Sequence, residues 1–167
     1  MSAVAVFTGD IVGDVLFQEE PSGCRVIASF SKLPPGEHGF HIHKAGDLRG
    51  KGCLGACEHY HKGPPTHHGG PPSSSSSSSS PRHTGDLGNI HNAPCKKTYF
   101  LSAVRISDLY GRSVILHEDK DDLGLGPHED SLTTGHSGKR IGCAIIGRVF
   151  EPTCAGKRST RKARRAV

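Results

Sequence analysis

Six segments combine β-branched or aromatic residues with polar ones and are bounded by Gly, Pro, Asp or Ser: residues 3–7 (AVAVF), 24–30 (CRVIASF), 38–43 (HGFHIH), 99–106 (YFLSAVRI), 112–117 (RSVILH) and 141–150 (IGCAIIGRVF). Val26, Ala28 and Phe30 alternate with Arg25, Ile27 and Ser29, a two-residue period that turns one face of a strand toward a core. No segment sustains a helical period. The pattern predicts an all-β domain of short strands. Two stretches resist a strand reading: residues 44–98, dense in Gly, Pro, His and Ser, and residues 118–140, rich in Gly, Asp and Glu. Loops this long in a compact domain are usually functional.

Within the first loop, residues 71–81 (PPSSSSSSSSP) offer nothing apolar to bury and are expected to form a flexible insertion. Residues 151–167 also lack core-forming side chains. They are expected to form a disordered basic tail behind one domain of residues 1–150.

Composition sharpens this picture. At 167 residues the chain supports one hydrophobic core. With Gly at 22, Pro at 11 and no Trp, it favours many turns over long helices. The net charge of +5 comes from the tail, where Lys157, Arg158, Arg161, Lys162, Arg164 and Arg165 face only Glu151. The domain itself is charge-balanced. The start, MSAVAVFTGD, has no basic region and reaches Gly9 and Asp10 before an apolar run could serve as a signal or membrane span, so a cytoplasmic protein without a membrane segment is expected. Six Cys (24, 53, 57, 95, 143, 154) are too sparse for a disulfide scaffold, and spacing alone leaves their connectivity open.

Candidate chemistry lies in the twelve His. His41 and His43 are two apart on a predicted strand, so both imidazoles leave one face and can reach one ion. Two solvated His on a half-exposed strand would give the same H-x-H. His83 and Asp86 add nitrogen and oxygen donors that a turn can fold onto one ion. Asp with several His suits zinc, whereas an all-imidazole set suits copper.

The blocks GFHIHKAGD, HHGGP, RHTGDLGN, LHEDKDDLG and GKRIGCAIIG follow one another in this order, after an opening AVAVFTGD. Over residues 3–150 this series resembles the Cu,Zn superoxide dismutase family. The resemblance implies an eight-stranded Greek-key β-barrel or sandwich, immunoglobulin-like, with two long functional loops holding the metals outside it. It implies copper bound by His41, His43, His59 and His117, and zinc bound by His59, His68, His83 and Asp86. His59 would bridge both ions and act in catalysis. His61 competes for that place, but His59 follows Cys53 by six residues, as the bridging His follows the disulfide Cys in the family, and His-Tyr resembles the family's His-Phe.

The same resemblance implies that Asp121 hydrogen-bonds one copper His and one zinc His from behind, that Cys53 and Cys143 form a disulfide, and that Arg140 stands at the mouth of the copper site. Cys24, Cys57, Cys95 and Cys154 are then free thiols, and His38, His61, His67, His91, His128 and His136 are loop or surface residues. The implied activity turns superoxide into O2 and hydrogen peroxide in antioxidant defence, with copper catalytic and zinc structural. A homodimer through a surface including Gly111, Ile145 and Ile146 is expected, although Arg148 stands where an apolar contact is usual. A copper chaperone is a candidate partner, and nucleic acid or an anionic surface is a weaker one through the tail. Thr133 and Asp119 stand where relatives often carry Lys, with Lys120 and Lys139 as nearby substitutes. The non-enzyme alternative is a metal-storage or delivery domain of the same fold.

Overall fold

Strands with one apolar face must cover it, and this chain does so by stacking two antiparallel sheets. The computed structural model describes residues 1–64, 66–72 and 81–150. The strands are β1 (Ser2–Phe7), β2 (Val12–Glu20), β3 (Gly23–Lys32), β4 (Glu37–His43), β5 (Asp86–His91), β6 (Cys95–Ser102), β7 (Ser113–His117), β8 (Arg140–Ile145) and β9 (Gly147–Arg148). One sheet runs β6-β3-β2-β1-β9 and the other β5-β4-β7-β8. β8 pairs with β7 and β9 pairs with β1. The final strand therefore changes sheets at Ile146, which closes one edge and reconciles nine segments with an eight-stranded Greek-key sandwich.

Ring packing ties the sheets together. Phe7 and Phe30 from one sheet lie 5.3 Å apart by centroid, Phe30 meets Phe40 of the other edge-on at 5.9 Å, and Phe40 meets Tyr99 at 6.4 Å. β4 is buried along nearly its whole length. Phe40 and Ile42 join the core, while His41 and His43 point from the opposite face. That face is buried as well because the two long loops lie over it, bringing His59, His68 and Asp121 against it.

Several expectations change. β2 was not predicted, because Gly13, Asp14 and the polar end Gln18–Glu20 obscure the alternation that buries Val15 and Phe17. β5 and the start of β6 fall in the stretch read as loop 44–98. DLGNIH holds only two large apolar side chains, and it becomes a strand by pairing with β4. Residues 103–106 leave the predicted strand: Ala103 turns the chain at φ 58, and Ile106–Leu109 forms a helical turn, α1. The strand predicted over 141–150 ends at Arg148.

His38 is not a surface residue. It is buried, with Nδ1 at 2.9 Å from the His117 carbonyl and 3.0 Å from that of Glu118, which braces β4 against the second loop. Ile146 is likewise buried in the core and is unavailable as a contact between copies. The Ser-rich run at 73–80, the tail and Cys154 lie outside the described residues.

Phe40→Ala should lower the unfolding free energy of the metal-loaded protein by about 3–5 kcal/mol, because it opens a cavity where the two sheets meet. Denaturant titration checks this; an unchanged midpoint would show that Phe40 does not hold the sheets together.

Candidate metal centre

Strand β4 and the end of β7 supply three imidazoles, and the first long loop supplies a fourth. The ligand atoms of His41, His43, His59 and His117 lie within 4.8 Å of one another. His43 also makes an isolated β-bridge to His59, which carries the loop onto the edge of β4. In each ring, one nitrogen is held from behind. His41 Nε2 lies 2.9 Å from Asp121 Oδ2, His43 Nδ1 lies 2.8 Å from the Cys57 carbonyl, His59 Nδ1 lies 2.8 Å from Asp86 Oδ1, and His117 Nδ1 lies 3.2 Å from the Gly138 carbonyl.

The opposite nitrogens, His41 Nδ1, His43 Nε2, His59 Nε2 and His117 Nε2, are buried without a hydrogen-bond partner. One such atom costs about 1–3 kcal/mol. Four gathered together are explained by a shared cation. Burial pushes the pKa of His41, His43 and His59 down, and that of His117 down to about 4. The rings are thus neutral and free to donate lone pairs. An all-imidazole set of this kind suits copper.

A second group shares His59. His59, His68, His83 and Asp86 also bring their ligand atoms within 4.8 Å. Asp86 Oδ1 lies 2.8 Å from His59 Nδ1, 3.1 Å from His68 Nδ1 and 3.3 Å from His83 Nδ1, while the His59 and His68 Nδ1 atoms are 3.3 Å apart. Four ligands about 2.0–2.2 Å from a tetrahedral ion are separated by roughly 3.3–3.6 Å, so the donor set is slightly tighter than, and near, the size zinc requires. The other oxygen of Asp86 is occupied by backbone N–H groups of His83 and Gly69, at 2.8 and 3.0 Å. Burial works against the Asp86 charge, yet the three imidazoles around it, with His59 hydrogen-bonded to Oδ1, hold its carboxyl far below the ordinary range.

Asp121 joins the two groups. Its carboxylate takes His41 Nε2 on one oxygen and His68 Nε2 on the other, at 2.9 and 2.7 Å. Burial opposes protonation of His68, but the Asp121 and Asp86 carboxylates outweigh it and raise its pKa to about 9. Asn89 on β5 holds Asp121 in place: its Nδ2 donates to the Asp121 carbonyl at 2.8 Å, and its Oδ1 accepts the Asp121 N–H at 2.7 Å. Gly135 packs so closely on Asp121 Oδ1 and His68 Nε2 that a β-carbon would collide with both.

Cys53 and Cys143 form a disulfide between the first long loop and β8. Half-buried Arg140 donates through Nη1 to the Cys53 carbonyl at 2.8 Å and through Nη2 to the Cys57 carbonyl. The Cys57 carbonyl also meets His43 Nδ1, so one oxygen connects the guanidinium with the imidazole cluster. His61 lies outside both groups; its Nε2 bonds the Pro64 carbonyl at 2.7 Å and its Nδ1 accepts the Thr84 N–H at 3.3 Å. The sequence reading missed Asn89, Gly135 and the carbonyls of Cys57 and Gly138. Their parts come from position in space, and no local motif marks them.

Residues 11–146 match the family described as copper/zinc superoxide dismutase. The chain is 44% identical to a Cu-Zn superoxide dismutase of Paramecium bursaria Chlorella virus 1, across 92% of this chain and 82% of that protein. It is 41% identical to an extracellular Cu-Zn superoxide dismutase of Caenorhabditis elegans, across 85% of this chain and 63% of that one. Among solved structures, the clock protein EA4 superposes with a TM-score of 0.73 at 35% identity, across 89% of this chain and 94% of EA4. The chain belongs to the copper/zinc superoxide dismutase family, whose two metals match the two donor sets just described.

Proposed function

We propose that this protein converts superoxide into O2 and hydrogen peroxide. His41, His43, His59 and His117 hold copper, and His59, His68, His83 and Asp86 hold zinc. The observation that carries the assignment is the convergence of four buried, unpartnered imidazole nitrogens beside a second set that includes a carboxylate. Copper supplies one-electron oxidation and reduction when bound, whereas zinc has no redox chemistry and serves structure.

The protein's own contribution begins at His59. Its Nδ1 faces the Asp86 group and its Nε2 the all-imidazole group, so one ring couples the two sites. Nε2 is the atom at which it can hold a proton for the peroxide product. Asp121 keeps His41 and His68 turned toward their respective ions, because each ring presents its opposite nitrogen when Nε2 is engaged. Arg140 supplies positive charge and N–H donors for the anionic substrate, and its carbonyl contacts fix the guanidinium without neutralising it. A metal-storage domain would need the ligands but not this guanidinium.

The proposal extends to a cytoplasmic homodimer of the 1–150 domain, able to receive copper from a chaperone. Exposed Ile145 supports a contact between copies, whereas Arg148 lies over the Tyr110 ring at 5.1 Å and occupies the neighbouring surface. Among the described residues no helix is long and apolar enough to cross a membrane. Binding of nucleic acid or an anionic surface by the tail remains a secondary proposal based on its six basic residues.

His59→Ala should uncouple the two sites, so that zinc removal no longer alters the copper electron paramagnetic resonance signal, while His61→Ala should keep the parental response. The reverse pattern would place the bridge at His61. Arg140→Ala should lower kcat/KM on the order of 10-fold or more at low salt with both metals retained, and added salt should narrow the gap by screening the parent enzyme's attraction. Parental kcat/KM in a fully loaded Arg140→Ala protein would remove Arg140 from substrate capture.

A further inference from the structure

One charged pair stands at the edge of the imidazole cluster. Lys44 follows His43 and Glu58 precedes His59, so the isolated bridge between those two His sets Lys44 opposite Glu58. The Lys44 N–H donates to the Glu58 carbonyl at 2.9 Å, and Lys44 Nζ donates to Glu58 Oε2 at 2.8 Å. The Lys44 carbonyl accepts Arg112 Nη1 at 2.8 Å, which fixes the lysine backbone from its other side. Both side chains of the pair are exposed. An ion pair in that setting adds little to stability, so its location matters more than its strength.

Glu58 is also a neighbour of Arg140. Arg140 donates through Nη2 to the Cys57 carbonyl, and that carbonyl belongs to the peptide unit that leads into Glu58. The two charges act on each other. Lys44 holds the Glu58 carboxyl below its ordinary range and Arg140 adds to the effect more weakly, while burial pulls the Arg140 guanidinium down against the opposing charges of Cys57 and Glu58. Yet the carboxylate bonds Lys44, and among the described residues Arg140 bonds only the carbonyl oxygens of Cys53, Leu54 and Cys57. One acid has two cations in its field, and the lysine takes it.

We propose that Lys44 is a positioning residue for anion capture: by binding Glu58 it keeps that carboxylate off Arg140 and leaves the guanidinium open to a small anion. Superoxide as that anion rests on the activity proposed above, whereas anion access to bound copper can be read without it. If the lysine is removed, Glu58 loses its counter-ion, and its charge then pairs with the Arg140 guanidinium and repels an incoming anion. Arg140 is neutralised without being touched. This effect needs the Glu58 carboxylate, so Lys44 matters only while that carboxylate is present. A lysine acting merely as one more positive charge would matter equally with or without Glu58.

The test is a double-mutant cycle of Lys44→Met and Glu58→Gln in the full-length, copper- and zinc-loaded protein at low ionic strength, where screening is weak. Azide, a small anion that ligates Cu(II), is titrated against the visible absorption of the copper, and kcat/KM for superoxide is measured in parallel. Lys44→Met alone should weaken azide binding and lower kcat/KM by about threefold or more, whereas the same substitution made in Glu58→Gln should change each by less than about 1.5-fold. Lys44→Arg, which keeps the ion pair, should stay at parental values. An equal loss from Lys44→Met in both backgrounds would overturn the proposal, because Lys44 would then be a bulk positive charge, and so would parental azide affinity in Lys44→Met. A parent protein that binds azide but does not turn over superoxide would remove the dismutase reading, and the azide cycle would then decide the role of Lys44 by itself.

Discussion

Strand β4 has to bury two chemically different faces, and the rest of the molecule is arranged around that requirement. Phe40 and Ile42 go into the sandwich, which any apolar strand can achieve. His41 and His43 go the other way into a space that is equally dry, and a buried imidazole needs a partner on each nitrogen. Loops must therefore cover the outer face and also deliver acceptors to it. Asp121, the Cys57 carbonyl and the Gly138 carbonyl take one nitrogen each of His41, His43 and His117, which leaves the other nitrogen of each ring for an ion.

Fixing two long loops at ångström precision over a sheet takes more than backbone pairing. The first loop is fastened to β8 by Cys53–Cys143 and to β4 by the His43–His59 bridge. The second is fastened to β5 through Asn89 and to β4 through the Gly39 N–H, which donates to the Asp119 carbonyl at 2.8 Å. Asp121 then links the loops through His41 and His68. Tyr60 anchors the first loop in the core, and polar contacts such as those of Asp121 and Asp86 set the rest of the loop geometry around the site. Strained backbone at Cys53, Cys57 and His136 falls within these loops, consistent with a geometry set by the site rather than by local preference.

Positive charge around the site is sparse. Lys120 pairs with Glu37 at 2.6 Å, and Lys139 lies 3.6 Å from Glu118. Arg140 instead faces uncharged carbonyl oxygens and keeps its charge available. The difference between an ion-paired lysine and an arginine held only by dipoles is what supports the proposed role of Arg140 toward an anionic substrate.

Much of the fold and the site could be read before any coordinates. Short β-branched and aromatic segments between turn residues marked β1, β3, β4 and β7, with alternation visible in β3, and the ordered His and Asp blocks marked the residues that the structure brings together as His41, His43, His59 and His117, and as His59, His68, His83 and Asp86. β2 and β5 were not legible, because Gly13–Asp14 interrupts one and DLGNIH is barely apolar; β2 forms by pairing with the adjacent β1 and β3, and β5 by pairing with the distant β4. His38 read as a surface residue because nothing nearby in the chain shows that the His117 and Glu118 carbonyls will meet it. Residue identity alone determined which donors are available and on which face of a strand they begin. Tertiary structure decided which nitrogen of each ring is left free, why His59 rather than His61 stands between the two groups, and which carbonyl holds Arg140, because those choices depend on contacts between segments tens of residues apart.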